Sequence, residues 1–228
     1  MILSIHQPAY LPWLGYFDKI VRSDIFIFLD NVQFEKNSFT NRNFIKSSNG
    51  PLLLTLPVLQ KGHMNKKINE ILINHQVKWK SKHLLSIEQN YNKSINFSKN
   101  IDKLIKIYEP EDCFFSNFCY KSLLFWMSEF QIKTKIIKAS DTSICETKSD
   151  LILNLCKEYA ATKYISGPMG IDYLDLNSFK QNNIEVEFQS FKHPVYDQCY
   201  GDFIEKMSIV DYWMNNGSDK IFVNYKGN

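Results

Sequence analysis

Residues 1–46, MILSIHQPAYLPWLGYFDKIVRSDIFIFLDNVQFEKNSFTNRNFIK, decide the fold. The apolar run Ile2 to Ile5 is short, with β-branched residues at two positions, as a buried strand is, and it stops at His6-Gln7-Pro8. From Ala9 to Arg22 the apolar residues Leu11, Leu14, Phe17, Ile20 and Val21 recur near helical spacing. Pro8 and Pro12 restrict the start, which predicts a short helix from around Pro12. Ser23-Asp24 breaks the pattern, and Ile25 to Leu29 reads as a second strand ending at Asp30. Strand, helix and strand within about 30 residues make a βαβ unit. The His-Gln-Pro step therefore falls at the carboxyl end of a parallel strand, the edge where open α/β sheets hold ligands.

Working outward, residues 31 to 50 are polar and aperiodic, an ordered loop leading to a further strand at Leu52 to Val58, together a β-hairpin arm. From Ile71 to Phe130 the pattern is helical, which predicts a largely helical insertion at about 59–131. Alternation then returns, with strands at Thr134 to Ala139, Tyr164 to Ser166 and Ile184 to Ser190 and helices at Asp150 to Tyr159 and Leu174 to Asn182. An amphipathic helix through Ile209 to Trp213, started by Ser208 and ended by Asn216-Gly217, closes the chain. The expectation is a single α/β domain over 1–228, a Rossmann-like parallel sheet of about five strands carrying that insertion.

Composition narrows the class. At 44% hydrophobic and 14% aromatic, 228 residues bury a substantial core. No apolar run reaches the roughly 18 residues of a spanning helix, and the first residues lack signal-peptide character, so the reading is a cytoplasmic protein without membrane insertion. Cys113, Cys119, Cys145, Cys156 and Cys199 show no metal spacing and an odd count, against a disulfide framework. No metal site is expected. A net charge of +3, spread along the chain, gives no reason to expect a nucleic-acid partner.

Candidate functional residues cluster at strand ends. His6 and Gln7 offer an imidazole and a carboxamide at the end of the first strand, with His6 suited to general-base work. Tyr10 either packs the core, the favoured reading, or stacks on a ligand ring. After the second strand, Asp30, Gln33, Lys36, Asn41, Arg42, Asn43 and Lys46 form a dense polar set. In it Asp30 is read as a base or ribose ligand, and Arg42 with Lys46 as phosphate holders. Ser166-Gly167-Pro168-Met169-Gly170 presents a turn to the same edge. His83 is a candidate to reach the site from the insertion, while its distance in sequence from His75 is wrong for a shared metal.

The ordered motifs I-H-Q-P-A-Y-L-P-W-L-G-Y-F-D-K-I at 5–20, D-N-V-Q-F at 30–34, N-R-N-F-I-K at 41–46 and T-L-P-V at 55–58 resemble the WbqC-like protein family. The resemblance continues through W-K-S-K-H at 79–83, Y-I-S-G at 164–167, Y-L-D at 173–175, Y-D-Q at 196–198 and S-I-V-D-Y at 208–212. It implies work in bacterial surface-polysaccharide (O-antigen) biosynthesis and a nucleotide-linked sugar as partner. The expected activity is transfer of an acyl or aminoacyl group to a nucleotide-linked amino sugar, from an activated acyl donor or nucleotide. The alternative is a non-catalytic sugar-nucleotide-binding or assembly protein of the same pathway. The strand pattern is also similar to HUP-type nucleotidyl-transferring enzymes, but the chain lacks the second histidine of H-x-G-H and a K-M-S-K-S segment, so adenylation is not implied.

Overall fold

The computed structural model describes residues 1–35, 38–59, 66–109, 111–218 and 221–222. The elements are β1 (Ile2–His6), α1 (Leu14–Val21), β2 (Ile25–Phe28), the hairpin β3 (Arg42–Ser47) and β4 (Gly50–Thr55), then α2 (Trp79–Tyr91), α3 (Phe97–Tyr108) and α4 (Phe115–Glu129). Alternation follows as β5 (Lys135–Lys138), α5 (Lys148–Glu158), β6 (Lys163–Ser166), α6 (Leu176–Gln181) and β7 (Glu185–Phe188), before α7 (Ile209–Asn216). The sheet order is β5-β2-β1-β6-β7, with every neighbouring pair parallel. Along the chain, strands are laid outward from β1 on one side, then the path crosses β1 and continues on the other. That is Rossmann-like topology, and its order reverses between β1 and β6.

Side-chain alternation splits the sheet into two faces. Leu3, Ile5, Ile25 and Ile27 pack with α5 and α6 residues such as Leu155 and Phe179. Phe26 and Phe28 turn to the opposite core, built with α1, the hairpin, the inserted helices and α7. Ser4, on this second face, lets α1 come close: its hydroxyl donates to the Lys19 carbonyl at 3.1 Å.

The helix predicted from Pro12 starts at Leu14, and all eight of its residues are buried. Trp13, the extended residue just before the helix, explains the glycine two positions on. Its indole lies over Gly15, where a Cβ would sit 2.2 Å from the ring, and it meets the rings of Phe191 and His193. The loop before it is held by the hairpin. Asn43 Nδ2 donates to the carbonyl of Leu11 (2.6 Å), which has φ +46°, and Tyr10 N–H donates to the Thr40 carbonyl (2.8 Å).

At the far end, Gly217 ends α7 with φ +75°, as expected of a residue without a Cβ. Ser208 occupies the N-cap position, but its buried hydroxyl makes no capping bond and has no partner among the described residues. The Ile209 N–H donates to the Pro12 carbonyl at 2.7 Å, so α7 is fastened to the N-terminal loop.

Candidate functional site

The sheet places the first candidate group at the reversal of strand order. The β1–β6 register runs as far as Ser4 beside Ile165, so His6 and Gln7 leave β1 at the same carboxyl edge where Ser166 and Gly167 leave β6. His6, Gln7, Ser166 and Gly167, predicted separately, thus share one edge at the carboxyl ends of β1 and β6. His6 Nδ1 lies 3.0 Å from the Gln7 carbonyl, which can only accept, so Nδ1 carries the proton and Nε2 keeps its lone pair. Among the described residues Nε2 makes no hydrogen bond. Tyr16 supports the ring edge-on at 4.7 Å and donates its hydroxyl to the same Gln7 carbonyl at 3.2 Å. Thr40 fixes the Gln7 side chain by donating to Oε1 at 3.3 Å.

Lys19, absent from the sequence-based candidates, joins this group. It projects from α1, is 2% exposed, and its Nζ donates to the Ile5 carbonyl at 2.8 Å. Burial lowers its pKa to about 7, against the opposing attraction of Asp18. His6 is lowered to about 3, first by desolvation and then by repulsion from Lys19, with the hydrogen bond to Gln7 working the other way. The imidazole is therefore neutral near pH 7. In the sequence Lys19 sits beside Asp18 and looks like the solvated side of an amphipathic helix. Only the burial of every α1 residue shows otherwise.

The other candidates lie elsewhere. Tyr10 and His83 do come together, but inside the core: the Tyr10 hydroxyl contacts His83 Nδ1 (2.7 Å) and the Tyr108 hydroxyl (2.6 Å). Trp79 and Phe118 close around them. At 1% exposure Tyr10 has no face for a ligand, so packing is its observed role. Asp30 is buried and held within the fold, accepting from Ser140 N–H (2.9 Å), Ser140 Oγ (2.8 Å) and Ser116 Oγ (3.3 Å). It joins the ends of β2 and β5 to the start of α4.

Asn41 and Asn43 are buried, with their amides on the carbonyls of Leu56 and Leu11. Lys46 departs from the phosphate-holding expectation. It is 2% exposed, and its Nζ donates to the Asp202 carbonyl at 2.6 Å. Arg42 is partly exposed, its guanidinium 5.8 Å from the Phe39 ring centroid. Gln33 is exposed at a single bridge to Lys67, and Lys36 lies outside the described residues. Among the described residues, no three His, Cys, Asp or Glu side chains gather as metal ligands, and no helix is long and apolar enough to cross a membrane.

A second buried polar group surrounds Asp211 of α7. Its carboxylate accepts from Tyr91 Oη (2.7 Å), Tyr196 Oη (2.8 Å) and Gln198 Nε2 (2.7 Å). Every donor is used within the fold, which marks a structural network.

Sheet and site together define a Rossmann-like α/β protein with a neutral histidine and a buried lysine at the strand-order reversal. The chain belongs to the WbqC-like protein family, whose sequence model matches residues 7–222. It is similar to the uncharacterized protein Rv1507c of Mycobacterium tuberculosis, 34% identical over 219 residues that cover 95% of this chain and 94% of that one. No solved structure matches it.

Proposed function

We propose that the chain is a group transferase of surface-polysaccharide biosynthesis, moving an acyl or aminoacyl unit from an activated donor to the amine of a nucleotide-linked amino sugar. The supporting observation is the His6 geometry: a neutral imidazole at the carboxyl edge of the sheet, its tautomer set by the Gln7 carbonyl and its Nε2 without a hydrogen bond among the described residues. In this reading the sugar amine attacks the acyl carbonyl carbon as the C–N bond forms. The bond from that carbon to the leaving group breaks. The amine proton passes to His6 Nε2 and from there to the leaving group. Gln7 and the Gly167 turn line the crevice, and Tyr16 holds the imidazole in place.

The test incubates acyl thioesters with nucleotide-linked amino sugars and follows acylated product by mass spectrometry, for wild type and His6→Ala. General-base removal lowers rates by about two to four orders of magnitude, and we expect a loss of that size with sugar-nucleotide binding retained. Equal rates would remove His6 from the chemistry. Binding without turnover across the panel would favour the second reading, a non-catalytic sugar-nucleotide-binding or assembly protein. The observation behind that alternative is the exposed row Met169 (76%), Ile171 (66%) and Tyr173 (48%) just beyond the Gly167 turn.

A further inference from the structure

The space in front of Gly167 is open but for one side chain among the described residues. From the position a Cβ would take there, the only heavy atom of the described residues within 4 Å, beyond the neighbouring residues, is Lys19 Nζ, at 4.0 Å. Gly167 is partly exposed, so this gap opens outward, and Lys19 forms its buried wall. An ammonium has three N–H donors, and among the described residues Lys19 spends one, on the Ile5 carbonyl. Its neighbour Asp18 attracts it without touching it. That carboxylate accepts from Gln189 Nε2 (2.6 Å) and pairs with Arg22 (3.5 Å), and makes no ion pair with Lys19 among the described residues.

A buried cation that lacks its acceptors is costly unless something completes it. We propose that the gap between Lys19 and Gly167 is a phosphate subsite, where the oxygens of a nucleotide-linked ligand complete the Lys19 ammonium. The missing Cβ of Gly167 gives the phosphate its room. This rests on the reading that ligands bind at the strand-order reversal, and is independent of what group is transferred. It also links binding to chemistry. Desolvation is the main depressor of His6, and a phosphate beside Lys19 offsets the Lys19 repulsion that adds to it, so the imidazole becomes a stronger base when the ligand is in place.

Inorganic pyrophosphate is the probe, titrated by calorimetry and thermal shift at constant ionic strength, with sodium acetate as the comparison anion. We expect pyrophosphate, and not acetate, to stabilise wild type. Lys19→Met should raise the melting temperature of the unliganded protein, because it removes an under-partnered buried amine, while weakening pyrophosphate binding at least tenfold. Gly167→Ala, at a φ of −67° that suits alanine, should keep the unliganded melting temperature and also weaken binding. It carries the test alone if Lys19→Met does not fold. Unchanged pyrophosphate affinity in both variants would overturn the proposal, as would equal protection by acetate. Loss of turnover in every acyl-transfer assay would sink the transferase reading and leave this binding result standing.

Discussion

His83 shows how one buried side chain sets the pH response. Desolvation lowers its pKa to about 4, so the folded protein holds it neutral while the unfolded chain binds a proton below about 6.5. The unfolded state therefore takes up more protons between these values, and stability falls as pH drops through that window. At pH 5 the His83 share is about 2 kcal/mol. His83→Gln, which keeps a hydrogen-bonding partner for Tyr10, should lose about 2 kcal/mol less than wild type between pH 7 and pH 5 in urea unfolding. Parallel losses would show that His83 is not the titrating group. His6, also lowered, adds to the wild-type trend in the same direction.

At the scale of elements, α7 is held by polar bonds as much as by its apolar face. Asp211→Ala strands the Tyr91 and Tyr196 hydroxyls and takes one acceptor from the Gln198 amide, which keeps the Ile204 carbonyl, and unpaired buried donors cost about 1–3 kcal/mol each. We expect a loss of about 3 kcal/mol or more in urea unfolding; a loss under about 1 kcal/mol would mean these groups find other partners. Element order was largely readable from sequence because strand and helix periods differ and because Ser23-Asp24 and Asn216-Gly217 punctuate them. His6, Gln7, Ser166 and Gly167 were readable as strand-end residues. Lys19 was not, because a lysine beside an aspartate on a helix carries no mark of burial. Nor were the inward turns of Asn41, Asn43 and Lys46, which look like solvated loop residues until the hairpin folds onto the N-terminal loop.

Across the whole molecule one core unites segments far apart in sequence. Phe17 of α1 meets Phe130 after α4 and Phe222 beyond α7, and Trp126 of α4 packs edge-on against Trp213 of α7 at 5.1 Å. The inserted helices thus share their core with α1 and α7. A fragment of residues 59–131 made alone should give a circular dichroism spectrum without cooperative thermal unfolding, and a sharp transition would show instead an autonomous unit. The intact chain should unfold with coincident tryptophan-fluorescence and far-ultraviolet transitions. The bond from Ile209 to Pro12 has a consequence in time. Translation proceeds at about 5–20 residues per second, so about 10–40 s separate the synthesis of its two ends. Throughout that interval the apolar surface of α1 waits on the ribosome without its last cover, a natural client for a holding chaperone.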